Sequence, residues 1–191
     1  MLQLLNVDID VARAVDAFRD SCGKFFTPIF KVITLSGNFG AIFIVLSVLF
    51  LIFKRTRRLG VVSLLALGFG MLFTNIILKP VVARPRPFAD ETSEFYALWK
   101  SAGALAESGF SFPSGHTTAS TAFCTALFFC LNKKYSWLLF LIPLVMGLTR
   151  IYFMVHYFTD VLGGLAVGFV AGLISYLIIS LIIKKRSRVI S

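Results

Sequence analysis

Five apolar runs of about membrane-spanning length divide most of this 191-residue chain, and they limit its fold more than any other feature. A helix needs about 20 residues to cross the ~30 Å hydrocarbon layer at a rise of 1.5 Å per residue. With 58% hydrophobic residues, a soluble domain of this size could not bury so much apolar surface. The sequence therefore predicts an all-α, polytopic membrane helix bundle with about five transmembrane helices, at residues 35–53, 59–78, 117–131 (extended by 114–116), 136–155 and 161–183.

Residues 1–34 are predicted to form an N-terminal amphipathic and interfacial region of the same single domain. Apolar residues recur there at helical spacing, which indicates a helix on the membrane surface or, equally, a short helix packed on the bundle: Val7, Val11, Val15, Phe18 and Cys22. Residues 25–35 are apolar but reach only about 16 Å, so we expect an interfacial or re-entrant segment that breaks near Gly37-Asn38. The bundle then covers residues 35–183, and a basic tail covers 184–191.

The net charge of +10 is concentrated at the ends of the apolar runs, in clusters at residues 54–58, 132–134 and 184–188. Alternation of the five spans places these clusters on one face, which the positive-inside rule makes cytoplasmic. We therefore expect a multi-pass cell-membrane protein with a cytoplasmic C-terminus, whose loop 79–112 and the turn around His156 face outward. No basic face with interleaved aromatic residues occurs, so a nucleic-acid partner is not expected.

Polar residues gather at the outward ends of the spans, where they are costly and usually functional. Lys79 and Arg86 lie at the outward end of the second span, and the run Pro113-Ser114-Gly115-His116 opens the third span. A last group lies at the outward end of the fourth span and in the turn after it: Arg150, His156 and Asp160. The three groups share one membrane face in the predicted topology.

This combination of side chains suits phosphate-ester cleavage. Lys79, Arg86 and Arg150 offer donors to the oxygens of a phosphoryl group, and the helix start at Ser114 and Gly115 favours an anion. One of the two histidines can attack phosphorus while the other protonates the leaving oxygen. On a continuing helix, Asp160 can reach His156 at i, i+4 and fix its tautomer.

The order Lys79-x6-Arg86-Pro87, Pro113-Ser114-Gly115-His116 and Arg150-x5-His156-x3-Asp160 resembles the three-part signature of the type 2 phosphatidic acid phosphatase (PAP2) family. The resemblance implies that His156 forms a phosphohistidine with support from Asp160, and that His116 acts as the general acid and then the base. It also implies that no metal or other cofactor is needed, and it assigns phosphate binding to Lys79, Arg86, Ser114, Gly115 and Arg150.

Two residues lie outside the usual pattern. Thr149 stands where the family usually has Ser, and its hydroxyl could still bond phosphate. Arg84 is an additional cation that could widen a positive funnel, bind a second phosphate or simply be a solvated loop residue. Four outer-loop aromatic residues could line a lipid access path or form an interfacial belt: Phe88, Phe95, Tyr96 and Trp99.

Relatives in this family include soluble haloperoxidases and sugar-phosphate phosphatases as well as lipid enzymes. A site at headgroup depth among lipid-facing spans favours a lipid phosphate, with undecaprenyl diphosphate preferred as a class over phosphatidylglycerol phosphate, phosphatidate and diacylglycerol pyrophosphate. A transporter that holds phosphate with the same cations is the alternative, although it has no need of a histidine nucleophile. The sequence leaves the oligomeric state open.

Overall fold

The computed structural model describes the backbone of residues 2–190, and the side chains of these residues except 2–5, 39 and 188–190. No strand occurs within this described part, which confirms the predicted all-α bundle. Its α-helices are α1 (Leu2–Ser36), α2 (Ala41–Ile52), α3 (Arg57–Met71), α4 (Lys79–Val82), α5 (Glu94–Ser101), α6 (Gly115–Cys130), α7 (Lys133–Ser136), α8 (Leu141–Tyr152) and α9 (Phe158–Ile190).

Three helical stretches among the described residues are long and apolar enough to cross a membrane: Arg57–Val82, Lys133–Tyr152 and Phe158–Ser187. Helices α1 and α2 would supply a fourth if they formed one span, bent by 56°. The number is lower than the predicted five because α2 has only 12 residues and α6 only 16. Helix α6 is nevertheless central, since it packs against α3, α8 and α9 and buries most of its length.

Three glycines of α9 let this helix pack directly on the backbone of α6, as their four-residue spacing predicts. A Cβ atom built on Gly168 would lie 2.5 Å from the carbonyl oxygen of Thr118, which leaves no room for a side chain. The close contact aligns the first turns of the two helices, so that the backbone N–H of Ser114 donates to the carbonyl of Asp160 at 3.0 Å. The other glycines of this contact are Gly164 and Gly172.

A π-helical segment, Leu72–Leu78, joins α3 to α4 within one membrane-spanning stretch. The wider turn of a π-helix changes the direction in which later side chains point, and such segments are frequent at functional sites. The segment ends immediately before Lys79, so it sets the direction of that side chain. The apolar sequence of the span gave no sign of it.

Helix α1 runs across the end of the bundle at which α8 turns into α9, which we call the site end. Asp8 bonds Thr159 in the first turn of α9, whereas Thr34 bonds Arg150 in the last turn of α8. The two N-terminal segments predicted separately are therefore one helix, held by packing along the same surface. The predicted break near Gly37-Asn38 is confirmed, as a short 3-10 turn at Asn38–Gly40.

Candidate active site

A cavity of about 680 Å³ opens at the site end between α2, α3 and α6. Its outer part is lined by polar side chains, whereas its inner part, between α2 and α3, is lined by Ile44, Leu64, Leu67 and Met71. Of the residues predicted from the sequence, Lys79, Arg86, Gly115, His116 and His156 line this cavity. The other three are fully buried beside it: Ser114, Arg150 and Asp160.

His156 is buried beside Asp160, with 3.4 Å between its Nδ1 atom and Oδ2 of the carboxylate. The same oxygen accepts hydrogen bonds from the Ser111 hydroxyl and, at 2.9 Å, from the backbone N–H of Tyr157. This arrangement favours the tautomer with its proton on Nδ1, which leaves the Nε2 lone pair free to react. His156 precedes α9, so the contact predicted for a continuing helix is made across the turn that leads into it. Ser111 was not predicted from the sequence.

Arg86 is fixed by three backbone carbonyl groups. Its Nε donates to Gly109 at 3.0 Å, Nη1 to Val155 at 2.9 Å and Nη2 to Ser108 at 2.7 Å. Nη1 also lies 3.4 Å from Nε2 of His156. Burial lowers the pKa of the Arg86 guanidinium, although the carboxylate of Glu107 acts in the opposite direction. The guanidinium is thus held in one orientation, with Nη1 beside the Nε2 atom of His156.

Glu107 lies between two arginines that the sequence analysis assigned to phosphate. Its carboxylate forms an ion pair with Nη2 of Arg150, and its second oxygen is 3.5 Å from Nη2 of Arg86. Burial acts to raise the pKa of Glu107, but the charge of Arg150, the hydrogen bond from Arg150 and the charge of Arg86 together outweigh burial, so the pKa lies below its usual range. An ionised carboxylate therefore occupies donors of the two arginines for which phosphate binding was predicted. In the sequence, Glu107 could have been noticed only as an acidic residue shortly before the second motif.

Arg150 is 1% exposed, and its Nη1 donates to the hydroxyl of Thr34 at 2.5 Å. Its Nε has no hydrogen-bond partner among the described side chains and backbone groups. The side chain is therefore held by α1 on one side and by Glu107 on the other. Thr149 does not contribute to this group, because its hydroxyl donates to the carbonyl of Met146 at 2.7 Å within α8.

The second histidine has a partner that the sequence did not reveal. Nε2 of His116 lies 3.0 Å from Oδ1 of Asn38, in the 3-10 turn between α1 and α2. The turn approaches closely, since a Cβ atom on Gly37 would lie 2.9 Å from the His116 ring. A Cβ on Gly115, by contrast, would meet no atom within 4 Å, so the helix start opens to the cavity. The Ser114 hydroxyl accepts a hydrogen bond from Thr117 at 3.0 Å.

Arg84 is not a solvated loop residue, because both of its terminal nitrogens bind carboxylates. Its Nη1 donates to Oδ1 of Asp160 and to the hydroxyl of Thr159, and its Nη2 donates to Oδ2 of Asp8, each at 2.7 Å. Its guanidinium lies over the ring of Tyr157, 3.8 Å from the centroid. Arg84 therefore belongs to a network that contacts the Asp160 carboxylate beside His156.

The four aromatic residues of the outer loop pack around α5 instead of lining the cavity. Phe88 and Trp99 stack with their centroids 4.7 Å apart, and both pack on the buried cluster around Tyr152. Phe95 meets Tyr157 edge-on at 5.0 Å. Gly68 of α3 lines the cavity instead, and a Cβ atom there would meet nothing within 4 Å.

The site brings together Lys79, Arg86 and two histidines, one of which contacts a carboxylate. The chain also matches a known protein family. The profile of the PAP2 superfamily matches residues 59–184, more than half of the chain. The chain belongs to the PAP2 superfamily. The resemblance in the three motifs is thereby confirmed at the level of the family.

Curated PAP2 relatives include two from Bacillus subtilis. The chain is 35% identical to undecaprenyl-diphosphatase BcrC over 109 residues, which are 57% of this chain and 52% of that protein. It is 32% identical to phosphatidylglycerophosphatase B over 126 residues, or 61% and 56% of the two chains. The match thus spans slightly more than half the length of these relatives.

Two solved structures share this PAP2 fold. Aquifex aeolicus LpxE aligns with a TM-score of 0.71 and 25% identity, over 87% of this chain and 93% of that one. A transmembrane PAP2-type phosphatidylglycerolphosphate phosphatase from Bacillus subtilis aligns with a TM-score of 0.61 and 24% identity, over 91% and 90%. The membrane helix bundle described above is therefore the one found in these membrane relatives.

Proposed function

We propose that this PAP2 protein hydrolyses a phosphate ester or anhydride of a membrane lipid, with His156 as its nucleophile. The observation that carries the proposal is the shape of the cavity. It joins His156, Lys79 and Arg86 at one end to an apolar arm between α2 and α3 at the other. A lipid suits this shape because its phosphate needs cations while its tail needs an apolar, laterally open path.

In the first step, the Nε2 lone pair of His156 forms a bond to phosphorus. The P–O bond to the lipid breaks, and the leaving oxygen takes a proton from His116. Asp160 accepts the Nδ1–H of His156 and stabilises the positive charge that grows on the imidazole. Lys79 and Arg86 hold the equatorial oxygens of the phosphoryl group, together with the N–H groups at the start of α6. Arg150 joins them once its ion pair with Glu107 opens.

In the second step, a water molecule attacks phosphorus on the side opposite His156. His116, now neutral, takes a proton from this water, and the N–P bond breaks to release inorganic phosphate. Both steps need only the side chains described above. His116 thereby regains the proton that it gave to the leaving oxygen in the first step.

Among lipid phosphates, undecaprenyl diphosphate is the substrate that we place first. The names of curated relatives support it, since BcrC and a Sulfolobus acidocaldarius relative, 31% identical over 129 residues, are both undecaprenyl-diphosphatases. Phosphatidylglycerol phosphate, phosphatidate and diacylglycerol pyrophosphate are the alternatives. The site end is assigned to the extracytoplasmic face by the basic clusters of the opposite loops.

The test is phosphate release by the detergent-purified protein from each of the four lipids, beside the His156→Ala variant. We expect release from at least one lipid by the wild type and a loss of about three orders of magnitude or more in the variant. Equal rates in the two proteins would disprove the mechanism. Release from none of the lipids would favour a phosphate-binding transporter instead.

Sidedness needs a separate experiment. In a variant without the three native cysteines, a single cysteine within residues 92–102 should react with a membrane-impermeant maleimide on intact cells. Reaction only after lysis would place the site end in the cytoplasm.

A further inference from the structure

Asp8 is a fully buried carboxylate at the start of a helix whose remaining charged residues mostly face outward. It is 1% exposed and accepts three hydrogen bonds. The donors are the backbone N–H and hydroxyl of Thr159, both at 2.9 Å, and Nη2 of Arg84 at 2.7 Å. A buried charge is tolerated only when it is paired and hydrogen-bonded, and here the partners lie next to Asp160.

The guanidinium of Arg84 connects two carboxylates through different nitrogens. Nη2 binds Asp8, whereas Nη1 binds Oδ1 of Asp160. The face of the guanidinium lies on the ring of Tyr157, which fixes its plane. Arg84 is therefore held from three sides, and its position relative to Asp160 depends on Asp8.

Each carboxylate oxygen of Asp160 therefore has its own set of hydrogen-bond partners. Oδ1 accepts from Arg84, which leaves Oδ2 for His156, Ser111 and the N–H of Tyr157. Rotation of this carboxylate would break contacts on both sides. Its orientation in turn sets the tautomer and the direction of the His156 ring.

We propose that Asp8 is a positioning residue for this reaction, which acts through Arg84 to hold the carboxylate of Asp160 against His156. The N-terminal helix α1 is then part of the catalytic apparatus and does more than cover the bundle. The inference rests on the proposed function, because it assigns a supporting role to a nucleophile named there.

The alternative is that Asp8 only docks α1, and the chain offers a matched control for it. Asp16 forms an ion pair with Arg19, which donates to the carbonyl of Tyr152 at 2.9 Å and to the hydroxyl of Ser101 at 2.7 Å. This pair also fastens α1 to the bundle, but it contacts neither Asp160 nor His156. Asp16→Asn therefore weakens docking without disturbing the nucleophile.

The experiment measures kcat and KM for the best lipid, together with the melting temperature, for Asp8→Asn, Asp8→Glu and Asp16→Asn. For Asp8→Asn we expect kcat to fall about 10- to 100-fold, as for other outer partners of a functional histidine, with little change in KM. Asp8→Glu should recover most of this loss. Asp16→Asn should leave kcat within about twofold of the wild type even where its melting temperature falls.

A second variant tests the route through Arg84. If Asp8 acts through this guanidinium, Arg84→Gln combined with Asp8→Asn should lose no more kcat than Arg84→Gln alone. Equal kcat in Asp8→Asn and Asp16→Asn, or additive losses in the double variant, would overturn the proposal. Failure of the proposed function gives a different result, namely an inactive wild type or an active His156→Ala protein.

Discussion

The Nη1 atom of Arg86 lies 3.4 Å from the Nε2 atom of His156, while the same guanidinium donates to the carbonyls of Ser108, Gly109 and Val155. One side chain thus fixes the loop before the second motif and the turn before α9. A phosphoryl group bonded to Nε2 would lie directly beside this cation. Arg86 therefore combines a structural and an electrostatic role, and both depend on the planar fork of arginine.

We predict that Arg86→Lys lowers kcat/KM by about 10²- to 10³-fold, the usual effect of removing a transition-state donor. Lysine keeps the charge, but it cannot reach three carbonyls in fixed directions at once. Rates of phosphate release check this. The control is Arg58→Lys, because Arg58 is exposed and bonds Ser180 at 3.1 Å, near the opposite end of the bundle. A wild-type rate in Arg86→Lys would show that charge alone is sufficient.

Replacement of Glu107 by glutamine should strengthen inhibition by vanadate. The substitution removes the carboxylate that competes with an anion for Arg150 and Arg86. We expect the vanadate inhibition constant to fall by about tenfold, equivalent to about 1.4 kcal/mol. Without vanadate the melting temperature should also fall, since a buried arginine loses its partner.

Vanadate should then restore stability to the Glu107→Gln protein more than to the wild type, because a ligand stabilises the state that binds it. Glu94→Gln is the matched control, since Glu94 is an exposed partner of Arg13. Weaker vanadate binding by Glu107→Gln would mean that this carboxylate helps to hold the anion site together.

His156 should remain neutral well below the usual pH range of histidine. Burial, opposed by the hydrogen bond to Asp160 and reinforced by the charges of Arg150 and Arg86, lowers its pKa to about 4. Because the unfolded chain binds this proton near pH 6.5, the folded state loses stability as pH falls from about 6.5 to about 4. At neutral pH the nucleophile needs no deprotonation.

Histidine-selective NMR can measure this titration, since the chain contains only two histidines. In a His116→Gln variant the remaining imidazole should titrate with a midpoint near 4. A midpoint between 6 and 7 would contradict the burial described for His156.

Filling the apolar arm of the cavity should distinguish a long lipid from a small phosphate. Gly68 lines the cavity and a Cβ atom there would meet nothing within 4 Å, so Gly68→Leu adds side-chain volume on this side of the cavity. We expect KM to rise for the best lipid and to stay unchanged for a short, water-soluble phosphate ester. Val61→Phe on the same helix is the control, because Val61 is 40% exposed and lies outside the cavity lining. Equal effects on both substrates would place the lipid tail elsewhere.

The sequence predicted the residues that gather at the candidate site better than the residues that contact and support them. His116, His156 and the cations stand in motifs with fixed spacing, so local pattern and topology bring them to one end of the bundle. Glu107 reaches the site from the loop between α5 and α6, Asn38 from the 3-10 turn before α2, and Asp8 from α1. Their contacts join residues far apart in the chain, for example 151 positions between Asp8 and Thr159, and no local pattern carries that information.

Hydropathy also predicted a more regular set of spans than the structure contains. It cannot distinguish a span from a buried helix, and α6 is both short and rich in threonine. Nor can it detect the π-helical turn before Lys79, because that turn changes direction without changing composition. The glycine spacing in α9 was more informative, since close packing demands a missing side chain at defined intervals.

The contact between Asp8 and the first turn of α9 has a consequence for the synthesis and membrane insertion of the protein. The emerging chain must deliver α9 into the bilayer before α1 has its docking partner. His156 and Asp160 also follow Lys79, Arg86 and Arg150 in the chain. Under the proposed mechanism, a partly synthesised chain therefore carries the three cations before it has a nucleophile, and it cannot cleave a phosphate until α9 has been made.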